Sequence, residues 1–236
     1  MRDHAATPPV SARLFAWVGT ALFFVSLAYF IFSYVTTFGV PAAGGDRMPA
    51  VAWNVTLFTL FAVHHSVFAR ERVRRWVARA VPARLERSCY VWIASVIFIA
   101  VCALWRPVPG VAWAAEGTRL WALWLLQATG VWLTLRSAAI LDIRELAGVT
   151  HRVTGSAEFK TTGPYGWVRH PIYTGWFLMV FAASPMTMTR LVFAVVSGAY
   201  LLIAIPFEER SMRASSAGAY ARYMARVRWR LLPGVY

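Results

Sequence analysis

Two short stretches of this 236-residue chain carry residue types that can do chemistry. The first reads Gly163-Pro164-Tyr165-Gly166-Trp167-Val168-Arg169-His170-Pro171-Ile172-Tyr173 and leads directly into an apolar run. Pro164 with Gly163 and Gly166 marks a turn. Pro171 suits the first position of a helix, where its missing N–H would be unpaired anyway, and the residue before a proline is pushed out of the α region. His170 is therefore the expected N-cap. Free N–H groups at that helix start, beside Arg169, would make an anion site at a membrane surface. A plain helix start with a snorkelling Arg169 explains the same residues equally well.

The second stretch is Glu208-Glu209, placed after the apolar run Leu201 to Phe207. Adjacent carboxylates at the end of a membrane helix are costly, and a helix C-terminus is the wrong end for negative charge. Arg210 and Arg213, one turn on, could compensate them. A cationic ligand is the sharper reading and is preferred, because acidic residues at membrane depth tend to mark sites.

The elements that must position these residues are apolar blocks. They run Leu14 to Phe38, Ala50 to Phe68, Ser88 to Trp105 and Leu120 to Leu141, followed by a pair, Ile172 to Ser184 and Leu191 to Phe207, divided by Pro185-Met186-Thr187-Met188. Most approach the ~20 residues that a helix needs to cross a bilayer. The Ile172 to Ser184 arm reaches only about 20 Å, so it either recruits flanking residues or forms a re-entrant hairpin. Apolar residues make up 59% of the chain and charged ones 14%, against about 25% charged in soluble domains. These features predict an all-α polytopic membrane protein with five to six transmembrane helices, the last two a helical hairpin. Residues 1–150 would form helices that shape a substrate cavity, and residues 151–236 a catalytic region with the hairpin and a basic tail.

The formal charge is +14, from 24 basic and 10 acidic residues. The bases collect between apolar blocks instead of forming an aromatic-interleaved stripe, so they read as topology signals and lipid-headgroup contacts, with no nucleic acid as partner. If all six blocks cross, every base but Arg47, Arg106, Arg119 and Arg190 falls on one side. By the positive-inside rule that side is cytoplasmic and holds both termini; the expected location is the cell inner membrane. Cys89 and Cys102 share one apolar stretch and suit packing. Adjacent His64 and His65 point about 100° apart on a helix, so they cannot converge on one metal ion. No metal site is expected, although a single haem ligand stays open.

The order Gly163, Tyr165, Arg169 to Tyr173, an apolar hairpin, Glu208-Glu209, then Gly218, Tyr220, Tyr223 and Pro233 resembles the isoprenylcysteine carboxyl methyltransferase and phospholipid methyltransferase superfamily. The amino-terminal half is similar to one branch, the methanethiol S-methyltransferases and their NnrU-like relatives. The pieces that match are His65-Ser66-Val67-Phe68-Ala69-Arg70, Leu85-Glu86-Arg87-Ser88-Cys89-Tyr90 and Trp105 to Val111. The resemblance implies an S-adenosylmethionine-dependent methyltransferase with a cytoplasm-facing cofactor site. It implies cofactor contacts at Phe159, Lys160, Tyr165, His170, Pro171, Ile172, Tyr173 and Glu208.

Within that frame His170 and Glu209 are candidates for the base that makes a thiolate, and Arg169 for a positive field. Asp142, Arg144 and Glu145 depart from the branch's pattern. The prenylcysteine enzymes place an Arg four residues before the acidic pair, where this chain has Ala204. A small thiol is thus the preferred acceptor. A prenylcysteine or lipid carboxylate and a phospholipid amine are the alternatives, and a non-enzymatic haem-associated or transport protein a further one.

Overall fold

The computed structural model describes residues 9–68, 70, 73, 76, 77, 79–141 and 161–236, without the side chains of 83 and 84. The described residues are mostly helical. Four long helices come first: α1 (Val10–Val35), α2 (Arg47–Phe68), α3 (Ala83–Ala103) and α4 (Gly117–Ile140). A short 3₁₀ turn (Gly163–Gly166) precedes α5 (Pro171–Phe181), α6 (Met188–Ser215) and α7 (Ala219–Arg226).

Among them α1, α2, α6 and residues Leu85–Ala103 of α3 are long and apolar enough to cross a membrane. Trp17, Leu60, Trp121, Leu125, Leu135 and Ile203 all stand exposed by 60% or more. An aqueous protein rarely shows so much apolar surface, whereas lipid solvates it.

Proline and threonine set the helix starts. Pro9 and Pro82 precede α1 and α3, and Thr187 Oγ1 accepts the Arg190 N–H at 3.1 Å to cap α6. Small residues set the closest crossing. Gly130 of α4 and Gly175 of α5 meet face to face: a Cβ on Gly130 would lie 2.6 Å from the Gly175 carbonyl oxygen. Without a hydrophobic force between helices in lipid, this backbone approach is what brings packing energy. On the other flank Gly19 of α1 admits Trp92 of α3, whose indole N–H donates to the Phe15 carbonyl at 3.0 Å.

The core is a ring cluster around Phe193 of α6, with Phe30 and Trp105 at 5.2 Å and Phe38 and Phe58 at 5.7 Å between centroids. At the same end the loops meet. β1 (Val111–Trp113) pairs antiparallel with β2 (Met186–Thr187), with Val111 opposite Thr187. This small ladder departs from a purely helical expectation; it satisfies extended backbone that would otherwise lie unpaired against an apolar layer. Arg190 locks the same end, donating from Nε to the Tyr34 carbonyl (2.9 Å), from Nη1 to Pro185 (2.7 Å) and from Nη2 to Val35 (2.8 Å). A guanidinium there satisfies the last carbonyls of α1 at the negative end of its dipole.

Two sequence expectations change. α5 is only 11 residues, about 16 Å, and the extended residues after it carry the chain back to β2. α6 runs 28 residues and continues to Ser215, so Glu208-Glu209 lies within the helix and not at its end. The polar residues after Glu209 keep their helical bonds outside the apolar layer, which a reading based on hydropathy alone cuts short. The division near residue 150 is crossed by the α4–α5 packing and by the β1–β2 pair.

Candidate active site

The 3₁₀ turn, the start of α5, the last third of α6 and the chain after α7 converge at the end opposite the ladder. Gly163 enters the turn with φ +58° and Gly218 enters α7 with φ +82°, conformations that L side chains avoid. His170 is the N-cap of α5 and Pro171 follows at its first turn, as the sequence predicts. The His170 side chain does not cap. It turns to the acidic pair instead, with Nε2 3.3 Å from Glu209 Oε1 and Nδ1 3.8 Å from Glu208 Oε2.

The two carboxylates diverge, as neighbours on a helix must. Glu209 is 3% exposed. Its Oε1 accepts from Arg169 Nε at 2.7 Å and its Oε2 from Arg230 Nε at 3.1 Å. Arg169 Nη1 also donates to the carbonyls of Val227 (2.8 Å) and Arg228 (2.6 Å), while the Arg169 and His170 N–H groups bond to Trp229 and Arg230. The basic tail is thereby tied across the start of α5. Burial works against charge on Arg230, but the Glu209 carboxylate and the Tyr236 hydroxyl together outweigh it and hold the guanidinium above its ordinary pKa.

For Glu209, the compensation that Arg210 and Arg213 could have given comes instead from Arg169 and Arg230, far apart in sequence. Beside Arg169, where the sequence allowed either an anion site or a plain helix start, the guanidinium holds the chain's own Glu209. Arg230 was missed in the sequence because nothing distinguishes it from its basic neighbours.

Glu208 faces another way and its side chain is 43% exposed. Tyr173 Oη donates to its Oε1 at 2.6 Å, and the Tyr173 ring stacks on His170 at 5.4 Å. Oε2 therefore keeps accepting capacity, open to solvent and next to an imidazole. Tyr165 sits in the 3₁₀ turn, where its carbonyl accepts from the Tyr223 hydroxyl at 2.9 Å. Burial raises the Tyr165 phenol pKa well above its usual value and pushes that of Tyr223 up to about 12, so both stay neutral donors. Tyr165, Arg169, His170, Pro171, Ile172, Tyr173, Glu208 and Glu209 are thus gathered at one end of the bundle. Phe159 and Lys160, and Asp142, Arg144 and Glu145, lie outside the described residues.

An apolar crevice of about 460 Å³ lies between α4, α5, α6 and the tail, lined by Leu123, Leu126, Thr174, Phe177 and Leu231 among others. Thr174 points about 100° away from Tyr173, so this crevice opens on a different face of α5 from Glu208.

A membrane-embedded helical bundle with a basic–acidic network closing over one half-open carboxylate is unlike a nucleotide-binding sheet, and sequence relatives define its class. Residues 126–214 match the isoprenylcysteine carboxyl methyltransferase (ICMT) family. Methanethiol S-methyltransferase 2 of Bradyrhizobium diazoefficiens is 33% identical over 226 residues, 91% of this chain and 87% of the relative. Methanethiol S-methyltransferase 1 of the same organism is 35% identical, covering 95% and 86%. The Methanethiol S-methyltransferase of Mycobacterium tuberculosis is 37% identical over 75% of this chain and 76% of the relative. No solved structure matches the chain. The protein is a membrane methyltransferase, which sets aside the haem-associated and transport alternatives. It belongs to the isoprenylcysteine carboxyl methyltransferase family.

Proposed function

We propose that this enzyme methylates a small thiol, with S-adenosylmethionine bound at the Glu208 end of the bundle. The observation that carries the reading is the half-open Glu208 carboxylate, fixed by Tyr173 and flanked by His170. A donor with an ammonium, a sulfonium and ribose hydroxyls suits an acceptor-only group with unspent lone pairs. Glu208, His170 and Tyr173 would hold it, with Pro171, Ile172 and Tyr165 beside them; the family resemblance adds contacts from Phe159 and Lys160, which lie outside the described residues. When bound, it supplies an electrophilic methyl group on sulfur.

The chain's own residues orient and exclude water. Glu209, with both oxygens engaged, is read as positioning Arg169 and His170 and tying down the tail, in preference to the base role its residue type also offers. Arg169, neutralised by Glu209, likewise serves the framework more than an open positive field.

A thiol acceptor is supported by the relatives named above and by Ala204. That residue is buried one turn before Glu208 and brings no guanidinium for a carboxylate substrate. A neutral thiol also enters apolar surroundings without the desolvation cost of a carboxylate. Purified enzyme with labelled donor is expected to turn over short alkanethiols faster than prenylcysteine carboxylates or phospholipid amines, and faster as pH raises the thiolate fraction. Ala204→Arg should move the ratio toward the carboxylate. Carboxyl methylation with no thiol turnover at any pH would overturn the assignment.

We further infer that all six helices from α1 to α6 cross an inner membrane, the extended residues after Phe181 making up what α5 lacks. The site, both termini and every base but Arg47, Arg106, Arg119 and Arg190 then face the cytoplasm. A Ser215→Cys variant lacking Cys89 and Cys102 should label only from the cytoplasmic side; labelling only from outside would reverse the orientation.

A further inference from the structure

The amino-terminal motifs around His65 and Tyr90 play no part in the network described so far, yet the fold brings them together. The Tyr90 hydroxyl of α3 and His65 Nδ1 of α2 share a hydrogen bond of 2.8 Å. The Tyr90 ring lies nearly parallel to His64, 10° between planes and 6.1 Å between centroids. Both ring nitrogens of His64 are buried without a hydrogen-bond partner among the described residues, an arrangement that calls for a polar guest or water nearby. Next along α2, Ser66 bonds the Tyr200 hydroxyl of α6 at 2.8 Å. Tyr200 precedes Glu208 by two helical turns, about 12 Å deeper into the bundle.

Glu208 is close enough to act electrostatically on Tyr90, Tyr173 and Tyr200 alike. The groups facing Tyr90 are therefore His64 and His65 from α2, Tyr200 and Glu208 from α6, Tyr173 from α5, and Arg87 from its own helix, 5.2 Å from its ring centre. Of these groups Tyr200 lies deeper than Glu208 along α6, and through Ser66 it meets the same helix, α2, that carries His64 and His65. Methyl transfer needs acceptor and leaving sulfur in line on opposite sides of the carbon. With the donor at Glu208, the acceptor needs a polar resting place on the far side of the methyl group, which the Tyr90 and Tyr200 hydroxyls offer.

We propose that Tyr90 receives the acceptor thiol and, backed by His65, takes its proton. This rests on the small-thiol reading above. The thiol S–H proton passes to the Tyr90 oxygen while the Tyr90 proton moves to His65 Nδ1. The freed sulfur pair forms the new carbon–sulfur bond. The pair of the breaking methyl–sulfonium bond stays with the departing sulfur, so one neutral thioether forms, the demethylated donor leaves neutral, and the positive charge ends on His65, which later releases its proton to water. His64 and Tyr200 flank the acceptor and orient it.

The test compares Tyr90→Phe and His65→Gln with the parent enzyme by three readouts: calorimetric binding of S-adenosylhomocysteine, kcat/KM with an alkanethiol, and kcat/KM with benzenethiol, which ionises without help near neutral pH. General acid–base assistance contributes about 10²- to 10⁴-fold. Both variants should lose on the order of 10²-fold or more with the alkanethiol near neutral pH, recover as pH rises, lose less than about tenfold with benzenethiol, and bind S-adenosylhomocysteine as the parent does. Equal losses with both thiols, undiminished alkanethiol turnover, or weakened S-adenosylhomocysteine binding would each overturn the proposal. A parent enzyme that turns over no thiol strikes the acceptor reading itself and takes this one with it, and that outcome is seen before any variant is made.

Discussion

Glu209→Ala should be among the most damaging single substitutions in this protein. Among the described residues it removes the only carboxylate bonded to Arg169, whose side chain is 5% exposed, and leaves that guanidinium buried with carbonyl partners but without that counter-charge. Breaking a buried pair by deleting one partner costs about 3 to 5 kcal/mol. Arg230, with its side chain 32% exposed, can relax toward water and contributes less. Because the same Arg169 ties the Val227 and Arg228 carbonyls to the start of α5, the loss should appear in two ways: a lower unfolding midpoint in detergent, and faster protease cleavage after α7. Glu209→Gln, which keeps an acceptor but not the charge, should fall between. A Glu209→Ala protein that unfolds with the parent and keeps a protected tail would show that the pair is dispensable.

Glu208→Gln should act differently, leaving stability nearly unchanged and weakening donor binding. The carboxylate is half open and touches the rest of the protein chiefly through Tyr173 and His170, so little folding energy depends on it. A charge-assisted hydrogen bond to a ligand is worth about 1.5 to 3 kcal/mol, which corresponds to about 10- to 150-fold in affinity. His170→Ala and Tyr173→Ala should fall in the same range, because each removes a group that holds Glu208 in place. Calorimetric titration with S-adenosylhomocysteine reads this directly. Unchanged affinity in all three variants would remove the donor from this end of the bundle. The contrast is itself informative: adjacent glutamates on one helix, one a stability residue and the other a binding residue, because a 100° turn sends one into the protein and the other to its surface.

Apolar block length and the scarcity of charge were enough to place most helices, since a segment in lipid must satisfy its own backbone and does so only as a helix or a closed barrel. The start of α5 at Pro171 was legible for a similarly local reason, the fixed φ and missing N–H of proline. So was the grouping of Arg169 to Tyr173 with Glu208-Glu209, because the hairpin between them returns the chain to its starting side. Local chemistry could not say which cation would meet which carboxylate. Arg210 and Arg213 were nearer in sequence, yet Arg169 and Arg230 make the bonds, since pairing depends on which side chains the fold buries together. The length of α6 was likewise hidden, because its last turns are polar and stand outside the apolar run. The meeting of His65 with Tyr90, and of Ser66 with Tyr200, was beyond any sequence pattern: each pair joins different helices, and only the packing of small residues and rings against one another sets which faces come within reach.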